Sequence, residues 1–99
     1  IMNNTKSSLF IFLIFGSYAK KSQTRHSDID LLFVSNDKKF EEKVSNTLSL
    51  LPLKTHALVF TEEEFISMKN SNELNVVKEI IKHNIVLYGV ETYYRIKNA

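Results

Sequence analysis

Asp28 and Asp30 stand two residues apart in Ser27-Asp28-Ile29-Asp30-Leu31, at the start of an apolar run. Where a chain is extended, that spacing points both carboxylates to one face and turns Ile29 and Leu31 to the other. Two carboxylates side by side repel each other unless a cation lies between them. Upstream, the apolar run Leu9–Phe15 ends in Gly16-Ser17, and nine residues separate Ser17 from Ser27. A Gly-Ser turn leading into a short helical turn offers backbone N–H groups to an anion. A cation site facing an anion cradle suits a nucleoside triphosphate carrying Mg²⁺.

Gly16-Ser17, a short spacer and Asp28-x-Asp30 on a strand resemble the signature of the DNA polymerase β-like nucleotidyltransferase superfamily. The run Phe15-Gly16-Ser17-Tyr18-Ala19 and the run Ser27-Asp28-Ile29-Asp30-Leu31-Leu32 carry the likeness, which is nearest to the minimal nucleotidyltransferases. Ile85-Val86-Leu87-Tyr88-Gly89 is similar to the strand and turn that close such domains. The resemblance implies that Asp28 and Asp30 hold Mg²⁺ or Mn²⁺ in two-metal chemistry, with ATP as substrate. It places Gly16 and Ser17 at the β- and γ-phosphates and counts Ser27, Lys20 and Arg25 as further nucleotide-binding positions. The charge of Lys20, Lys21 and Arg25 meets triphosphate or acidic groups of a protein substrate, or is simply solvated. Lysine at position 21, where members often carry glycine, implies a looser loop. As in modules that pair this domain with a HEPN-type helical protein, the expected activity is transfer of AMP to a partner's hydroxyl, in an antitoxin role.

One position departs from the pattern. Active members carry a third carboxylate on the neighbouring strand, whereas the matching stretch here is Thr55-His56-Ala57-Leu58-Val59-Phe60-Thr61. His56 stands where the acid is expected. Imidazole is a poor Mg²⁺ ligand and suits Mn²⁺ or Zn²⁺ better. Three readings follow: His56 is a general base, a ligand for another cation, or the mark of a site that binds nucleotide without transferring it. The corresponding alternative function is an antitoxin that acts by binding its partner. A blander reading keeps only a small α/β domain that oligomerises.

The elements that must position these groups are legible in part. Leu9–Phe15 reads as a strand covered on both faces, and Ile29–Val34 as a second. Ser17–Lys21 can form a short helix and Ser22–Ser27 a polar loop. Asn36 or Asp37 can cap a helix running to about Leu50, with Phe40 and Val44 inward, before Pro52 ends it. Lys54–Phe60 alternates as a third strand, and Thr61-Glu62-Glu63-Glu64 is a capping-box pattern opening a helix to about Lys69. Ser71 or Asn72 caps another, with Leu74, Val77, Ile80 and Ile81 inward. Ile85–Tyr88 is a fourth strand. This order predicts an α/β (α+β) domain: a mixed sheet of about four strands with helices packed on one side. Residues 1–99 form one domain, with 1–8 a frayed start and 90–99 a tail whose Tyr93 and Tyr94 are offered to a partner or a second copy.

Composition narrows the function classes. The 99 residues are 43% hydrophobic and 24% charged, ordinary for a globular protein. A net charge of +2 is too mild to argue for nucleic-acid binding. No cysteine is present, which excludes disulfides and thiolate metal sites and fits a cytoplasmic protein. The longest apolar run, seven residues, falls far short of the ~20 needed to span a bilayer, so no membrane role is expected.

Overall fold

The computed structural model describes residues 10–16, 19, 28–52 and 54–99. Four strands, β1 (Ile11–Phe15), β2 (Ile29–Val34), β3 (Thr55–Phe60) and β4 (Asn84–Tyr88), form one sheet in the order β3-β2-β1-β4. β1 is antiparallel to both of its neighbours, and β2 is parallel to β3. Among the described residues four helices accompany them: α1 (Phe40–Leu48), α2 (Glu62–Lys69), α3 (Val76–Lys82) and α4 (Val90–Lys97). The expected mixed four-stranded sheet is present.

Its helices, however, do not form a single layer. Ile11, Leu13, Leu32 and Val34 enter one buried cluster with Phe65, Val77, Ile80, Tyr93 and Ile96 from α2, α3 and α4. Leu31 and Phe33 point the other way and pack with Val44 of α1. Topology explains the correction. A parallel β2–β3 pair requires a crossover, and α1 supplies it on one face. The chain from β3 to β4 must cross the whole sheet, and its helices cover the opposite face. Strands buried on both faces are apolar at successive positions, as Ile11–Phe15 and Leu31–Val34 are.

Local signals decide the helix starts. At α2 the capping box is complete: Glu64 N–H donates to Thr61 Oγ1 (3.1 Å) and Thr61 N–H donates to Glu64 Oε1 (2.8 Å). The cap expected at Asn36 or Asp37 is not formed, because α1 begins at Phe40 with Lys39 as an N-cap lacking a side-chain bond. Asp37 Oδ1 instead accepts from Lys39 N–H (2.9 Å), and Asn36 Oδ1 accepts from Glu62 N–H (3.1 Å), tying the far end of β2 to α2. That turn bond holds the Asp37 carboxyl below its ordinary pKa.

α3 also starts later than its pattern suggests. Asn75 is the cap: its Oδ1 accepts from Lys78 N–H (3.1 Å) and its amide donates to Met68 O (2.8 Å). Leu74 therefore lies outside the helix and is 90% exposed, whereas Val77 and Ile80 are fully buried. Residues read as a tail form α4, started by Gly89 at φ +81°, where a Cβ would meet Phe10 O at 2.3 Å. Tyr93 is accordingly a core residue, 2% exposed, and not a docking group; Tyr94 beside it remains half exposed. Tyr88 stacks on Phe10 with ring centroids 4.5 Å apart.

Candidate functional site

The end of the sheet where β1 finishes and β2 and β3 begin gathers the polar candidates. Register aligns His56, Asp30, Phe15 and Asn84 in one row across the four strands. Further along the same face come Leu32 and Leu58, then Val34 and Phe60, all in or against the core. Asp30 and His56 are thus the polar ends of otherwise apolar strand faces.

Gly16 closes β1 at φ +72°, a conformation that L side chains rarely adopt. A Cβ there would lie 2.1 Å from Asp30 Oδ2 and 3.0 Å from its Cγ. Glycine is required at this position twice over, by backbone conformation and by the carboxylate packed against it. On its other side, Asp30 Oδ1 is 3.8 Å from His56 Nδ1, an ion-pair distance when the imidazole is protonated but too long for a hydrogen bond. The Asp30 side chain is 28% exposed and that of His56 is 82% exposed. One carboxylate oxygen faces a backbone hinge and the other a solvent-accessible imidazole.

Asp28 precedes β2 and is exposed. Between the two acids, Ile29 packs against the α1-side cluster, and its N–H donates to Lys54 O (3.0 Å), which anchors the start of β2 to β3. The structure therefore brings Gly16, Asp30 and His56 together at one strand end, with Asp28 two residues from Asp30. Ser17, Lys20, Arg25 and Ser27 lie outside the described residues, as does the short helix expected over 17–21.

The β2–β3 register pairs Asp30 directly with His56, so an imidazole is its cross-strand neighbour on β3. Glu62, Glu63 and Glu64 do not replace it. They open α2 beyond Phe60, and at about 3.3 Å per residue the four steps from His56 to Phe60 already span ~13 Å. Among the described residues, no group of three His, Cys, Asp or Glu side chains is placed to hold a metal ion. Asp30 provides hard oxygen donors beside a turn kept clear of any Cβ, and Asp28, exposed two residues earlier, offers a second carboxylate. That donor set fits a Mg²⁺ or Mn²⁺ ion that keeps waters and phosphate oxygens as its remaining ligands, and it does not fit an all-protein cage.

Sequence reasoning did not identify Asn84, which shares the row. Its amide donates to Ile80 O (2.9 Å) and to the Tyr93 hydroxyl (2.9 Å). Burial pushes the Tyr93 phenol above its ordinary pKa, an effect that the Asn84 hydrogen bond partly offsets. No helix among the described residues is long and apolar enough to cross a membrane.

Comparison with known proteins agrees with this geometry. No curated protein sequence matches the chain significantly. A crystal structure described as a toxin-antitoxin with AMP-PNP has a similar fold, with a TM-score of 0.52 and 15% identity over 97% of this chain and 77% of that one. The family model "Polymerase beta, Nucleotidyltransferase" matches residues 1–92. With the glycine hinge, the strand-borne Asp30 and the mixed sheet in place, the chain belongs to the polymerase β nucleotidyltransferase family.

Proposed function

We propose that this domain transfers a nucleoside monophosphate, AMP from ATP, to a hydroxyl of a partner protein, as the antitoxin of a pair with a HEPN-type helical protein. The observation that carries the reading is the contact between Gly16 and Asp30. A carboxylate lies where any side chain at the hinge would collide with it, so turn and acid form one unit. The family match over residues 1–92 and the fold similarity to a toxin-antitoxin with AMP-PNP support the nucleotide and the pairing.

In this reading Asp28 and Asp30 hold the divalent cation, and Gly16 and Ser17 are assigned to the phosphate oxygens on the family resemblance. When bound, Mg²⁺ or Mn²⁺ neutralises triphosphate charge and makes the incoming hydroxyl more acidic. The acceptor oxygen forms a bond to the α-phosphorus, the bond to the β-phosphate bridging oxygen breaks, and pyrophosphate leaves. His56, exposed and beside Asp30, takes the hydroxyl proton as neutral imidazole, and the Asp30 carboxylate then stabilises the imidazolium. Lys20, Arg25 and Ser27 are assigned to the nucleotide on the family resemblance alone.

A second reading rests on the same His56. With imidazole in place of the third acid, the domain binds nucleotide and neutralises its partner by complex formation alone. The deciding experiment incubates the chain with α-labelled ATP, Mg²⁺ or Mn²⁺, and the protein encoded beside it. Label on the partner that disappears in Asp30→Ala supports transfer. Metal-dependent ATP binding without label transfer overturns it in favour of binding alone.

A further inference from the structure

Among the described strands β3 lies at the edge of the sheet, and it also carries His56. Its backbone alternates in a defined way. Ile29 N–H donates to Lys54 O and Ser35 N–H donates to Phe60 O, so the even-numbered residues of this stretch turn their peptide groups towards β2. By the period of a strand, Thr55, Ala57 and Val59 turn theirs outward, where no described strand pairs with them. The side chains of these three residues line a cavity of about 450 Å³ beneath α1, together with Glu41, Ser45 and Ser49. His56, between Thr55 and Ala57, presents its ring on the opposite face, beside Asp30.

From this arrangement the geometry points to strand addition: an extended segment of the acceptor protein pairs with Thr55, Ala57 and Val59 as a fifth strand. This inference rests on the transfer reading and specifies how the acceptor is held. An added strand alternates its own side chains. The residue opposite His56 faces the Asp30 side, where the phosphoryl group is to be received, and its two sequence neighbours drop into the α1 cavity. One strand therefore delivers the hydroxyl and reads its flanking residues. The lining favours a peptide over a nucleic acid strand, because it combines the apolar side chains of Val44, Leu48 and Leu51 with hydroxyls and the carboxylate of Glu41, and no cation is among its described residues. The same carboxylate selects a basic side chain next to the acceptor hydroxyl. Edge strands with unpaired amides are the usual template for such pairing.

The test is backbone hydrogen exchange on the full chain, alone and mixed with the protein encoded beside it. The Thr55, Ala57 and Val59 amides should slow at least about tenfold in the mixture, while Leu58 and Phe60, already bonded inward, stay unchanged. Ala57→Pro removes one outward donor at an edge position that tolerates proline, and Ser45→Trp fills the cavity without touching the strand. Each should weaken partner binding at least about tenfold while leaving ATP affinity unaltered. No mixture complex, a complex without alternating protection, or full partner affinity in both variants overturns the docking. Absence of label transfer alongside alternating protection defeats the transfer reading and leaves the strand pairing standing.

Discussion

Asp30 and Asn84 occupy the same cross-sheet row, on the same face, with only Phe15 between them, and their fates differ. Asn84 is half-buried but bonded inward. Its amide donates to Ile80 O and the Tyr93 hydroxyl, so its polarity serves the fold. Asp30 is open. No described residue donates a hydrogen bond to it, its neighbours are a glycine hinge and an exposed imidazole, and its side chain keeps 28% of its surface. A buried polar group spends its bonding capacity internally because leaving it unmade is costly. A polar group at the uncovered end of the same row keeps that capacity for a ligand. Chemistry is located here by where the helical layer stops.

The sharpest way to break this contrast is to remove each side chain. Asp30→Ala should lower label transfer at least ~10²-fold through lost electrostatic stabilisation, while the urea midpoint stays near that of the parent chain. Gly16→Ala falls between the two classes. Its backbone sits at φ +72° and the new methyl would collide with Asp30 Oδ2. It should cost about 1–3 kcal/mol of stability, measured by urea unfolding, and depress transfer as well. Asn84→Ala should cost about 1–2 kcal/mol and leave transfer per folded molecule unchanged. If Asn84→Ala instead abolished transfer at full stability, the division between closed and open halves of the row would be wrong.

The smallest effect is a titration. Burial holds the Tyr93 phenol neutral beyond its ordinary pKa of 10.0, so the unfolded chain loses that proton first as pH rises. Stability contributed by the neutral phenol is complete below the unfolded value and declines from about pH 10 upward until the folded group ionises. The thermal midpoint should fall more steeply above pH 10 for the parent chain than for Tyr93→Phe. Equal slopes would mean that the hydroxyl is not sealed as described.

The comparison also shows what could be read before any coordinates. That Gly16, Asp30 and His56 come together was legible because each sits at the end of an apolar run that reads as a strand. Thr61 and Glu64 were legible because a capping box lies within four consecutive residues. The exposure of Leu74 was not, since its spacing matched an apolar stripe that the helix start at Asn75 leaves outside. Nor was the burial of Tyr93, because a short polar-looking C-terminal stretch becomes a helix only when the core offers its inner face a place. Propensity alone makes an eight-residue helix marginal, and tertiary packing decides it.

By itself, then, the sequence determined which runs are strands, where α2 begins, and which family the residue spacing resembles. Those properties depend on neighbours a few bonds away. Tertiary structure alone decided that α1 lies on the face opposite the other helices. It also decided that Asp30 pairs with His56 and not with an acid, and that β3 is left at the edge with its odd-numbered amides outward. These outcomes depend on register and on which distant apolar faces bury each other. Such contacts are long-range, and their free energy is shared among segments far apart in the chain.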